Sequence, residues 1–72
     1  MMTLKDAISN TTYLIKEIIA NDNIRDFLRT LGCIEDEEIT IISKISNNLV
    51  INVKDSRYAI DLDIANCIFV YD

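Results

Sequence analysis

From Leu49 to Leu62 the chain alternates with a period of two. Leu49, Ile51 and Val53 alternate with Val50, Asn52 and Lys54, and beyond Lys54-Asp55-Ser56 the residues Tyr58, Ile60 and Leu62 alternate with Arg57, Ala59 and Asp61. That period belongs to a strand with one face on a core, and a short polar break between two such runs is a hairpin. Just upstream, Glu38 leads into Ile39, Ile41, Ile42 and Ile45. β-branched residues crowd a helix and suit a pleated sheet, so this run predicts another strand. Ser46-Asn47-Asn48 joins it to the next, because Asn tolerates positive φ. A three-stranded meander over residues 38–62 follows.

Two more strands and a helix complete the reading. Tyr13, Ile15, Glu17 and Ile19 alternate with Leu14, Lys16 and Ile18, a strand with an apolar majority on both faces. Cys67 to Tyr71 supplies a last strand, after a brief turn through Ile64, Ala65 and Asn66 that Asp63 is placed to cap. Near the start, Thr3 and Asp6 predict a single helical turn with Leu4 and Ala7 on one side. Asn21-Asp22-Asn23 stops the first strand, and Ile24, Phe27, Leu28 and Leu31 follow at offsets zero, three, four and seven, one face of a helix. Asn23 is expected at the N-cap, Asp26 sits in the first turn, and Gly32 suits the left-handed C′ position. Five short strands cannot hide both faces of an open sheet in 72 residues. The expectation is a mainly β fold, a small five-stranded barrel with the helix inserted between strands 1 and 2 as a plug.

Length and composition bound the function. Seventy-two residues make one domain, residues 1–72, and 50% apolar with 26% charged residues is the balance of a folded chain. Seven Lys and Arg against twelve Asp and Glu give a net charge of −5, the wrong sign for nucleic acid or anionic lipid. The longest apolar run, Cys67 to Tyr71, is far short of a bilayer span, so no direct membrane insertion is expected. Met1-Met2-Thr3-Leu4-Lys5-Asp6 meets an acid before an apolar signal region forms, which predicts a cytoplasmic location. Cys33 and Cys67 are then expected as free core or near-core thiols.

Catalytic and metal chemistry find little support. Histidine is absent, which removes the usual general base and the commonest transition-metal ligand. Cys33 follows a helix end and Cys67 opens an apolar strand, and neither has a basic setting that would activate it. Two cysteines 34 apart do not make a zinc site, and a lone Gly32 does not make a phosphate loop. Glu35-Asp36-Glu37-Glu38 is the densest charge run and the one place for a weak site for a hard cation; a solvated turn explains it more simply. No enzyme activity, cofactor or bound metal is expected. What remains is a contact surface: Arg25 and Arg29, one helical turn apart with Leu28 at their border, together with Tyr58, are the candidate partner-binding residues.

The order of these parts resembles the ferrous iron transport protein A (FeoA) family. The likeness runs through Met2-Thr3-Leu4, Tyr13 to Ile18, and above all Ile24-Arg25-Asp26-Phe27-Leu28-Arg29-Thr30-Leu31-Gly32, which is similar to the family's basic-leucine helix ending in Leu-Gly. Glu38 to Ile42, Leu49 to Val53, Arg57 to Ile60 and Ala65 to Val70 continue it. The resemblance implies an SH3-like barrel, no enzymatic activity, and a cytoplasmic role beside FeoB, the Fe²⁺ membrane transporter with a GTP-binding domain. It also leaves open a free-standing relative of the SH3-like domain of iron- or manganese-dependent repressors. Two departures bear on the partner surface: Ile34 to Glu37 stands where the family turns with Pro-Gly, and Asp61 stands where a basic residue is common.

Overall fold

The computed structural model describes all residues, Met1–Asp72. Six strands and two helices follow in order: β1 (Met2–Thr3), a 3-10 turn (Leu4–Asp6), β2 (Thr11–Ile18), α1 (Asp22–Leu31), β3 (Glu38–Ile45), β4 (Asn48–Val53), β5 (Ser56–Asp61), α2 (Leu62–Ala65) and β6 (Ile68–Val70). The strands form one antiparallel sheet in the order β1-β6-β2-β3-β4-β5.

β2 is the hinge of this sheet. Its first half, Thr11 to Leu14, pairs with β3, and its second half, Ile15 to Ile18, pairs with β6. A bulge between Ile15 and Glu17 inserts Lys16 and bends the strand. The bulge also explains how Ile15 and Ile18, of opposite parity, are both buried. A second irregularity between Ile41 and Ser43 bends β3 against β4. The sheet therefore curls around one apolar cluster, to which Ile15, Ile39, Ile41, Leu49, Ile51, Ile60, Ile68 and Val70 contribute. No polar residue is buried in it.

The expected mainly β, SH3-like architecture is present, with two differences: there are six strands and not five, because Met2–Thr3 pairs with β6 as an extra strand, and the sheet is not closed. β1 and β5 are its two edges. β1 is only two residues long and Leu62 starts a helix instead of extending β5, so neither strand reaches the other. The 3-10 turn and α2 occupy that side instead, burying Leu4 and Ala65 completely. Thr3 Oγ1 donates to Asn66 Oδ1 at 3.0 Å and Leu62 N–H to the Asn47 carbonyl at 3.0 Å.

The hairpin turns are short, as expected. In the β4–β5 turn Lys54 and Asp55 both take positive φ, 49° and 65°. Positive φ at both central residues is the type I′ geometry that matches strand twist. In the β3–β4 turn it is Ser46, at φ 56°, and neither neighbouring Asn, that takes the left-handed conformation.

α1 begins two residues earlier than the sequence pattern places it. Asn21, not Asn23, is the N-cap: its Oδ1 accepts from Ile24 N–H at 2.9 Å. Gly32 ends the helix at φ 101°, and Gly32 N–H to Arg29 and Cys33 N–H to Leu28 form the paired bonds of a Schellman cap. Leu28 is fully buried, Ile24 and Leu31 pack half-buried on the core, and Phe27 is turned out to 45% exposure. The helix thus covers the core by a stripe centred on Leu28, with its Arg25 side leaning on β2 and its Phe27 side open. α2 shows a similar displacement: Asp61, rather than Asp63, caps it by accepting from Ile64 N–H at 2.8 Å.

Candidate functional site

The largest concavity is a groove of about 510 Å³ between the end of β2, α1 and the segment that follows α1. Glu17 and Ile18 come from β2, Arg25 and Arg29 from α1, and Cys33, Ile34 and Glu35 from the exit of the helix. Helical spacing puts the two arginines on one face, and the Schellman cap turns the chain so that Ile34 and Glu35 return alongside them.

The two arginines are held differently. Arg25 Nη2 donates to the Ile18 carbonyl at 3.1 Å, an acceptor freed where β2 ends, so its guanidinium is fixed against the groove wall. Arg29 Nη1 meets Asp26 Oδ1 at 3.2 Å, a pair exposed on both sides and worth only a few tenths of a kcal/mol. Two guanidiniums thus face a groove that also holds the carboxylates of Glu17 and Glu35. Such a lining suits a peptide segment carrying both signs better than a single ion.

Cys33 lines the same groove at 1% exposure. Burial, reinforced by the negative charge of Glu37, pushes its thiol up from 9.0 to about 11. It stays protonated at neutral pH and is not a nucleophile. Both cysteines are free, Cys33 buried and Cys67 half-buried.

Of the residues singled out from sequence, the structure brings Arg25 and Arg29 together and separates the others. Leu28 is a correction: with no exposed surface it anchors α1 from beneath and has no face to offer a partner. Tyr58 is half-buried on β5 opposite Ile51 and lies outside the groove. The acidic run disperses. Asp36 occupies a positive-φ turn position, Glu37 Oε1 pairs with Lys54 Nζ at 2.8 Å, Glu35 enters the groove and Glu38 begins β3. No three His, Cys, Asp or Glu side chains gather to hold a metal ion. Glu17 carries no site signal in the sequence, because only the bulge in β2 brings it to Arg25, whereas Ile34, within the segment already expected to bear on the partner surface, is brought there by the helix cap.

The fold has close relatives among solved structures. FeoA of Stenotrophomonas maltophilia, a prokaryotic SH3-domain protein in complex with zinc, is 27% identical, with a TM-score of 0.88 over 99% of this chain and 91% of that chain. An iron uptake regulatory protein FeoA is 20% identical, with a TM-score of 0.89 over 97% of this chain and 93% of that one. A manganese-dependent transcriptional repressor, 13% identical, matches 94% of this chain with a TM-score of 0.86 but only 39% of its own length. Among curated proteins none matches. The FeoA domain matches residues 2–72, so the chain belongs to the FeoA domain family, which is associated with ferrous iron transport.

Proposed function

We propose that this chain is a non-catalytic accessory protein of Fe²⁺ uptake that acts in the cytoplasm, binds the cytoplasmic part of the FeoB transporter and modulates transport. Family membership supplies the process. The observation that carries the binding surface is the groove in which Arg25, fixed by the Ile18 carbonyl, and Arg29 stand beside Glu17 and Glu35. A guanidinium already held in place loses little freedom on docking and presents a planar fork to a carboxylate. Tyr58 is an outlying contact on β5, and Leu28 serves the site only by holding α1 down. No helix is long and apolar enough to cross a membrane.

Titration of the soluble cytoplasmic domains of the transporter into this protein tests the proposal. Arg29→Glu, which disturbs only an exposed pair, is expected to weaken binding about tenfold, or about 1.4 kcal/mol, with the fold intact. Absence of binding to both the soluble domains and the full-length transporter would overturn it.

The fold likeness to a manganese-dependent repressor favours a second reading, a free-standing regulatory module. The partner that co-purifies with the tagged protein from its native host separates the two: a membrane GTPase supports the first, a DNA-binding regulator the second.

A further inference from the structure

β5 has β4 on one side and no strand on the other, with α2 and the 3-10 turn standing at its Asp61 end. The hairpin determines which of its backbone groups face the open side. Val53 and Ser56 flank a two-residue turn, and hydrogen-bonded pairs alternate along an antiparallel ladder. Ser56, Tyr58 and Ile60 therefore turn their N–H and C=O toward β4. Arg57 and Ala59 turn theirs outward, as Asp61 does its N–H, while the Asp61 C=O is taken up as the N-cap carbonyl of α2; the side chains of all three are exposed.

We infer that this edge pairs with the same edge of a second copy of the chain, antiparallel about a twofold axis at Ala59. In that register Ala59 lies opposite itself and Arg57 lies opposite the partner's Asp61. Every outward-facing residue of β5 then meets an outward-facing residue. A slip of one residue sets outward groups against inward ones, and a slip of two leaves Arg57 opposite the partner's Ala59 with fewer bonds made.

The side chains agree with this register. Charges on an edge ordinarily keep strands apart, but here they are of opposite sign and sit two residues either side of the axis. Cross-strand pairs of opposite charge stabilise a sheet by some tenths of a kcal/mol each. Arg57 Nε donates to Asn52 Oδ1 at 3.2 Å, which leaves its two Nη groups for a partner. Asp61 Oδ1 accepts from Ile64 N–H, which leaves Oδ2. Ala59 adds no bulk at the axis. The other edge offers nothing comparable, since β1 is two residues long. Each chain carries −5, a repulsion that weakens the pairing and moves the dimer to higher concentration.

Sedimentation velocity on the full chain, from micromolar to millimolar concentration at physiological salt, tests this without any other partner. The wild type is expected to pass from monomer to dimer, and amide exchange at Arg57 and Ala59 to slow about tenfold over that range while Tyr58, already bonded to β4, is unchanged. Ala59→Lys, which sets two ammonium groups against each other at the axis, and Arg57→Glu, which sets carboxylate against carboxylate, are expected to remain monomeric with unchanged circular dichroism. A wild type that stays monomeric throughout, or a dimer that survives both substitutions, overturns the inference. If a variant does not fold, the exchange pattern of the wild type decides alone: no concentration-dependent protection at Arg57 and Ala59 overturns it.

Discussion

Gly32 and the stem of Lys54 lie so close that a Cβ on Gly32 would fall 2.9 Å from Lys54 Cδ. The contact joins the end of α1 to the β4–β5 turn, and Lys54 continues it by pairing with Glu37 at 2.8 Å. α1 is therefore seated at both ends, by Arg25 on the Ile18 carbonyl and by Gly32 on Lys54.

Gly32→Ala is expected to destabilise the fold by about 1–2 kcal/mol, mostly because an L side chain at φ 101° is strained. The lysine stem is flexible and yields most of the steric part. Adding Lys54→Ala should accordingly recover only a few tenths of a kcal/mol. For a domain this small the loss lowers Tm by about 4–8 °C per kcal/mol, and an unchanged melting temperature would refute the account.

Leu28 and Phe27 are neighbours on one predicted stripe, yet one is completely buried and the other is 45% exposed. Leu28→Ala removes the centre of the contact between helix and sheet and should cost about 2–5 kcal/mol. A small domain has little more than that in reserve. Loss of near-ultraviolet circular dichroism or of a cooperative melt is the expected result, whereas Phe27→Ala should leave the unfolding midpoint within about 0.5 kcal/mol. Equal effects at the two positions would contradict the helix orientation.

Cys33 makes stability depend on alkaline pH. Its thiol is raised from 9.0 to about 11 by burial and by the charge of Glu37, so the folded state prefers the protonated form. The stabilisation is complete below pH 9 and is lost as pH rises toward 11. A shift of that size corresponds to about 2–3 kcal/mol. Urea midpoints between pH 8 and 11 should therefore fall more steeply for the wild type than for Cys33→Ala, in which other groups still titrate. Parallel slopes would remove the assigned cause.

The strands and the helix were legible because their patterns are local: alternation for Leu49 to Ile60, a four-residue stripe for Ile24 to Leu31. Closure was not. Residues 62–65 form a helix instead of prolonging β5, and nothing in the alternation of Tyr58, Ile60 and Leu62 announces where pairing stops. The groove was half legible. Arg25 and Arg29 share a helical face by spacing alone, but Glu17 reaches them through a bulge at Lys16, which depends on a pairing with β6 some fifty residues away. Phe27 lies off the buried stripe because spacing gives the width of a stripe and not its centre, which is set by the packing of Leu28.

Both helix caps illustrate the same limit, and they yield a test. Asn21, Asp22 and Asn23 are all competent N-caps, as are Asp61 and Asp63, and the choice falls to the residue at which the preceding extended backbone ends. Asn21 at ψ 169° and Asp61 at ψ 166° are extended, while Asn23 and Asp63 already lie within helices. Asn21→Ala and Asp61→Ala should each cost about 1 kcal/mol through the lost bond to Ile24 or Ile64 N–H. Asn23→Ala should be neutral or slightly stabilising, since Ala is the better interior helix residue by about 0.5 kcal/mol. Asp63→Ala loses only a favourable charge near the α2 N-terminus, worth about 0.3–1 kcal/mol and weakened by salt. Denaturant melts of the four variants in low and high salt rank them, and a larger loss at Asn23 than at Asn21 would reverse the assignment of the first cap.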